Sequence, residues 1–348
     1  MRTRTLLVDS SYLLKRSYHG AKDTYTNKFG HIGGLYAFMT TVRRLIKQHM
    51  INKVVLVWDG QNAGIDRYRI DHAYKANRKS KEWHEKIELT DREVEREKEK
   101  EQSILRQRIR IQEYVEELFL RQIEVDEIEA DDIIAAYCYK YNNKEEIYLF
   151  SNDRDFAQLL DLNITIIFPN IEQPVTRTNY MMYFNHHYSN ALTIKIIEGD
   201  TADKIKGIDG LKETTLLKHF PELRFRYVSV KEICKRAKEI NQIRISEKKK
   251  PLKALESLLD SIDRLKKNYQ LINLSTQMLN EAAEEEILQL DIPLGAEGRS
   301  SQNLYKMMKE DEFLTVYGGT FVNYVEPFYA VIMYEKQLLK EYEKKSRF

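Results

Sequence analysis

Residues 127–137 read EIEADDIIAAY, so Glu129, Asp131 and Asp132 stand directly before the apolar run 133–136. Acidic residues suit a first helical turn, where free N–H groups and the helix dipole favour negative charge. One capping carboxylate, worth about 1 kcal/mol, would meet that need. Three exceed it, because two carboxylates about 4 Å apart repel by roughly 4 kcal/mol at an effective dielectric near 20. The segment alone leaves capping and a charged site open, and the rest of the chain has to separate them.

Further acids recur at one kind of position. TLLVDSS (5–11) and KVVLVWDG (53–60) are short apolar runs with β-branched residues, as in buried strands, and reach Asp9 and Asp59. EIYLFSNDRDF (146–156) is a third, with Asp153 and Asp155 just past its end, and LNITIIFP (162–169) reads as a fourth. HIGGLYAFMTTVRRLIKQH reads as a helix after Gly33–Gly34, with Leu35, Phe38, Met39, Val42, Leu45 and Ile46 on one face. Strands alternating with helices predict an α/β fold with a doubly wound, mostly parallel sheet. Ligands of such sheets bind outside the carboxyl ends of the strands. Asp9, Asp59, Asp153 and Asp155 then converge on one edge, and the EADD helix start can join them. Asp200 and Asp203 follow in IIEGDTADKIKGIDG.

Nine carboxylates cannot share one pocket as anions, because their repulsions would exceed the stability of a fold. Either several stay protonated or cations neutralise them. All-oxygen donors select hard divalent ions, Mg²⁺ or Mn²⁺, over zinc. The eight histidines show no HExxH spacing. A two-metal carboxylate site is suited to in-line phosphoryl hydrolysis. HAYKANR (72–78) places Lys75 and Arg78 three apart, on one helical face where they could hold a phosphate. Taken alone, the same pair is ordinary surface decoration. GIDG (207–210), read as lying between helices, is either a simple turn or a hairpin whose N–H groups meet a phosphate.

The chain has 348 residues, enough for two domains or for one with a large appendage. Between residues 204 and 267 there are 18 Lys/Arg against 9 Asp/Glu, although the whole chain carries only +2. A basic segment beside an acidic one fits a phosphate-gripping surface next to a metal-loaded centre; a solvated helical face is the plainer reading. Residues 75–110 carry dense mixed charge and few apolar positions before Ile104, so they must stand away from the core. Cys138 and Cys234 are the only cysteines, which speaks for a reducing compartment and against a cysteine zinc site. No run approaches the length of a membrane span, and the N-terminus lacks the apolar stretch of a signal peptide. A cytoplasmic protein is expected, in the host cytoplasm if phage-encoded.

The segments LLVDSSYLLKRSYHG, VVLVWDG, YKANR, EADDIIA, SNDRDFAQLL and GDTADKIKGIDGL occur in this order over roughly residues 3–220. Together they resemble the 5′-nuclease superfamily: flap endonucleases, the 5′→3′ exonuclease domain of bacterial DNA polymerase I, and bacteriophage ribonuclease H. The resemblance implies a PIN-like domain over 1–190 with a helical arch at about 75–110. A helical region over 191–348 would follow, carrying a helix-hairpin-helix-type element for duplex DNA. It implies Asp9, Asp59, Glu129, Asp131 and Asp132 as ligands near a first metal, and Asp153, Asp155, Asp200 and Asp203 near a second. Mg²⁺ would fill these sites, with Mn²⁺ able to substitute. Lys75 and Arg78 would contact the scissile phosphate. Gly207 and Gly210 match the family's hairpin, but Lys212 stands at its third glycine position and Thr214 at its lysine position. K⁺ binding there is therefore in doubt, with Lys212 or Lys218 as substitutes for the phosphate contact.

The activity implied is hydrolysis near the 5′ end of flapped or nicked DNA or of RNA/DNA hybrid, as in primer removal. The chain would act as a monomer, with a single-strand-binding protein among its possible replication partners. Two competitors stand beside this reading: a PIN-type single-strand ribonuclease and a non-catalytic structure-specific DNA-binding module. The basic region after Asp203 argues against the first, and the full set of carboxylates against the second.

Overall fold

The computed structural model describes residues 2–21, 23–76, 91–295 and 297–345. Its centre is a five-stranded sheet formed by β1 (Thr3–Asp9), β4 (Lys53–Asp59), β5 (Arg121–Val125), β6 (Glu145–Phe150) and β7 (Thr165–Ile167). A small antiparallel hairpin, β2 (Tyr25–Thr26) with β3 (Gly30–His31), lies outside it. The sheet order is β5-β4-β1-β6-β7, and every neighbouring pair is parallel. Strand order reverses beside β1, which makes the β1/β6 crevice the place where a ligand site is expected.

Both faces of the sheet are covered, as parallel sheets require. Successive side chains point to opposite faces. Leu6, Val8, Val54, Leu56 and Trp58 join one hydrophobic cluster, while Leu7, Val55, Val57 and Leu149 join the other. The first cluster packs under α1 (Ser10–Gly20), α2 (Gly33–His49) and the C-terminal half of a long helix, α4 (Asp91–Glu117). The short helix α3 (Ile65–Ile70) precedes α4, and α5 (Ala130–Tyr141) belongs to the second cluster. The apolar stripe predicted for residues 33–49 is the buried face of α2.

Helix α4 is exposed along its first turns and anchored at its far end by Ile111, Tyr114 and Val115. Gln107 fastens it further, accepting from the Leu35 N–H at 2.8 Å. From Arg92 the helix thus lacks a core face until Ile104. Residues 77–90, with Arg78 and part of the expected arch, lie outside the described residues.

Strand β5 is not apparent from sequence pattern. RQIEV is a sheet edge that alternates buried residues with the half-buried Gln122 and the exposed Glu124, so it lacks the continuous apolar run of the central strands. The sequence reading also put helices on both sides of residues 207–210. Instead they follow a two-stranded hairpin, β8 (Gly199–Asp200) with β9 (Ile205–Lys206), and precede a helix over Glu213–His219. Gly207 packs so tightly that a Cβ would lie 2.0 Å from the Glu198 carbonyl oxygen, and Gly210 has φ +79°. Both positions therefore demand glycine.

Residues beyond 190 feed four hydrophobic clusters, the smallest joining Ile205, Leu271 and Ile272 to Tyr74. One, spanning Ile194 to Leu265, forms a separate helical core. Leu274, Ala283, Ile287 and Leu290 return to one face of the sheet, and Leu304 through Val331 cover the other. Among the described residues no helix is long and apolar enough to cross a membrane.

Candidate active site

Acids gather at one edge because several strands end in them. Asp9 ends β1 and caps α1, its Oδ1 accepting from the Tyr12 N–H at 3.0 Å. Its other oxygen accepts from Ser151 Oγ at 2.9 Å. Ser151, buried directly after β6, also accepts from the Asp153 N–H at 3.1 Å. One hydroxyl thus ties β1 to the turn that carries Asp153. Asp153 Oδ1 accepts from the Asp155 N–H at 2.8 Å and caps the next turn. Asp59 ends β4 and accepts from the Ala130 N–H at 3.1 Å, which docks the start of α5 and brings Asp131 inward. Asp200 and Asp203 come from the β8–β9 hairpin, where Asp200 Oδ1 accepts from the Ala202 and Asp203 N–H groups at 2.7 and 3.3 Å.

The result is a cleft of about 570 Å³ lined by Asp9, Asp59, Asp131, Asp153, Asp200 and Asp203 together with Lys75 and Lys195. Burial pushes Asp9 up to about 6, against the hydrogen bond from Tyr12 and with the Asp59 charge adding to the rise. Asp131 is raised well above the usual carboxylate range by burial and by the charges of Asp153 and Asp9. Burial and Asp153 likewise push Asp155 up to about 7, although Lys195 opposes them. A cluster of acids that resist ionisation together lacks positive charge.

Two lysines supply part of it. Lys195 Nζ stands 2.9 Å from Asp155 Oδ1 and 2.6 Å from Asp200 Oδ2. Burial would raise Asp200, but the Lys195 hydrogen bond and charge hold it below its ordinary value. Lys75 pairs with Glu129, lies 3.9 Å from Asp203 Oδ2, and donates its backbone N–H to the Asp203 carbonyl at 2.9 Å. Among the described residues, no three His, Cys, Asp or Glu side chains are gathered to hold one ion as they stand. The donor chemistry nevertheless fits a hard divalent cation: every acid lining the cleft offers oxygen.

Not all nine predicted acids face this cleft. Asp155 lines a neighbouring cavity and connects to the cleft through Lys195. Glu129 and Asp132, expected among the metal ligands, do not line it either. Arg67 from α3 donates to Glu129 Oε2 at 2.6 Å and to Asp132 Oδ1 at 3.0 Å, and all three side chains are buried. Asp132 Oδ1 also accepts from the Met278 N–H at 3.1 Å. Adjacent residues on a helix point about 100° apart, and here Asp131 turns into the cleft while Asp132 turns to Arg67. Of the EADD acids, Asp131 lines the cleft, while Glu129 borders it only through its pairing with Lys75.

Lys75 stands at the cleft as expected, and Arg78 lies outside the described residues. Gly207 and Gly210 occupy the turn after β9. Lys212 reaches back to the Glu198 carbonyl at 3.3 Å, and Lys218 is exposed on the following helix. Sequence reasoning missed Ser151, Arg67 and Lys195. Lys195 carried a usable signal, a lone cation inside the largely apolar ALTIKIIE. Arg67 carried none, since IDRYRI resembles any polar surface turn.

An acidic cleft at the switch point of a parallel sheet, beside a basic helical region, is suited to metal-assisted chemistry on phosphate esters. The family model of the 5′-3′ exonuclease, N-terminal resolvase-like domain, matches residues 4–188, and the chain belongs to that family. A 5′-3′ exonuclease of Mycoplasmopsis pulmonis is 28% identical over 225 residues, covering 63% of this chain and 67% of that protein. A structure of the T5 5′-exonuclease with divalent zinc bound has a TM-score of 0.61 at 17% identity, covering 89% of this chain and 99% of that one. A bacteriophage T5 flap endonuclease complexed with DNA and metal ions has a TM-score of 0.60, also at 17% identity, covering 90% and 99%. The shared fold therefore extends through most of the C-terminal helices.

Proposed function

We propose that the chain is a Mg²⁺-dependent, structure-specific 5′ nuclease, combining 5′→3′ exonuclease and flap-endonuclease action on flapped or nicked DNA and on RNA/DNA hybrid. The observation that carries this reading is the convergence of six aspartates from β1, β4, α5, the turn after β6 and the β8–β9 hairpin on one cleft. Asp9, Asp59 and Asp131 would hold one ion, and Asp153, Asp200 and Asp203 a second, with Asp155 behind them. Such ions, when bound, supply an activated water and stabilise charge on the attacking and leaving oxygens.

The chain's own side chains position the substrate. Lys75 is kept charged by Glu129 despite its burial, so its ammonium is available to a phosphate oxygen at the rim of the cleft. Ser151 and Asp59, through their contacts with Asp9, Asp153 and Ala130, keep the carboxylates in register. The basic residues of 204–267, with the turn at Gly207 and Gly210 and with Lys212 and Lys218, would grip the duplex phosphates. The T5 flap endonuclease complexed with DNA supports DNA as the substrate class. Primer removal by a monomer in the cytoplasm, beside a single-strand-binding protein, completes the proposal.

The test is cleavage of a 5′-labelled flap duplex, with Mg²⁺ and with EDTA, by wild type and by Asp131→Asn. Metal-dependent cutting near the junction, lost in the variant, is the expected result. Duplex binding without any cutting would make the chain a binding module and would sink the nuclease mechanism.

A further inference from the structure

On the helical core formed by residues 194–265, the segment Phe225, Arg226, Tyr227 turns three consecutive side chains outward. Phe225 is 75% exposed and Tyr227 58% exposed. Scattered exposed apolar residues are ordinary on a protein surface; this segment differs in how firmly it is fixed. Asn190 is fully buried, and its side-chain amide donates to the Leu223 carbonyl at 2.8 Å and the Arg226 carbonyl at 2.7 Å. Its Oδ1 accepts from the Val228 N–H at 2.8 Å. Leu223 and Val228, bracketing the exposed triplet, are completely buried. One buried side chain therefore clamps the backbone on both sides of two rings that face solvent.

The surroundings identify the kind of ligand. Residues 224–238 contain six Lys/Arg and one acidic residue, Glu232, which pairs with Arg226 at 2.6 Å; Glu222 and Glu239, just outside this stretch, pair with Arg236 and Lys235. Among the described residues, neither Phe225 nor Tyr227 stacks on another ring. Rigid aromatic faces interleaved with cations are how proteins hold unpaired bases: each ring stacks on a base and the cations follow the backbone. A base pair inside a duplex is stacked on both sides and offers such a ring no face. The clamp also links the triplet to residues 186–190, whose His186 lines the cavity beside the acidic cleft.

We infer that Phe225, Arg226 and Tyr227 form a stacking platform for a single-stranded part of the nucleic-acid substrate, separate from the duplex grip; this rests on the nuclease reading above. The test is fluorescence anisotropy in EDTA with two labelled DNAs, a blunt duplex and the same duplex carrying a single-stranded extension. The Phe225→Ala/Tyr227→Ala variant should lose about tenfold or more in affinity for the extended DNA, given the strength of base–aromatic stacking. Its affinity for the blunt duplex should be essentially unchanged, and Phe225→Trp/Tyr227→Trp should restore binding of the extension. An equal loss on both DNAs, or none on either, overturns the platform. So does loss of a wild-type self-association in sedimentation, which would assign the patch to a second copy of the chain. If wild type binds neither DNA, the nuclease reading fails first.

Discussion

Lys195 places its ammonium 2.6 Å from Asp200 Oδ2, so the acidic cleft contains a cation of its own. The same ammonium reaches Asp155 and joins the turn after β6 to the β8–β9 hairpin. Any divalent ion that uses Asp155 or Asp200 has to compete with it. Replacing Lys195 with Met should destabilise the metal-free protein by on the order of 1–3 kcal/mol, below the cost of breaking a fully buried pair. Mn²⁺ should bind the variant more tightly than wild type and restore most of the lost stability. Thermal melts and Mn²⁺ titrations followed by EPR measure both effects, and weaker Mn²⁺ binding in the variant would refute the competition.

Arg67 behaves differently because it neutralises Glu129 and Asp132 away from solvent. It also donates Nε–H to the Leu271 carbonyl at 2.9 Å, so it fastens α3 to the residues after the helical core. Arg67→Ala should cost roughly 3–5 kcal/mol, the usual penalty for stranding buried charge. Urea unfolding in EDTA should reveal this loss, and Mg²⁺ should recover less of it than it recovers for Lys195→Met. Full recovery by Mg²⁺ would place Glu129 and Asp132 among the metal ligands after all.

The raised acids make metal-free stability depend on pH. Asp9 at about 6 and Asp155 at about 7 bind protons more tightly in the folded state than at their ordinary 3.8. The folded chain then holds more protons than the unfolded chain between about pH 4 and 7, so these groups' stabilising contribution falls as pH rises through that window. In EDTA, unfolding free energy from this source should decline from pH 5 to pH 8, and Asp155→Asn should flatten the decline. Saturating Mg²⁺ should flatten it too, with protons released on binding. An unchanged slope in Asp155→Asn would assign the dependence to other groups.

Ser151 tests positioning within the site. Its hydroxyl is the shared partner of Asp9 and of the Asp153 N–H. Ser151→Ala should lower metal affinity or activity by about 10- to 100-fold, the usual effect of removing a group that orients ligands. Duplex binding in EDTA should be unaffected. A parallel loss of duplex binding would mean that the substitution disturbs the fold and not the cleft alone.

The sequence by itself determined the parallel α/β frame and the edge at which its acids collect. The signal was local: LLVD and VVLVWD are continuous apolar runs, the mark of strands buried on both faces, and each ends in aspartate; ligands of parallel sheets bind beyond the carboxyl ends of their strands. It also pointed to Lys75, Asp131, Asp200 and Asp203 through a family resemblance; the match over residues 4–188 bears out the family, and the fold places these four residues at the cleft. Tertiary structure alone decided which acids share the cleft. Glu129, Asp131 and Asp132 look equivalent along the chain, but Arg67 arrives from 62 and 65 residues away to engage the first and third. The same holds for Lys195, Ser151 and the edge strand β5, and for the return of residues 274–331 to both faces of the sheet. Each depends on contacts between segments far apart in sequence, and such contacts leave no period, cap or turn residue in the local pattern.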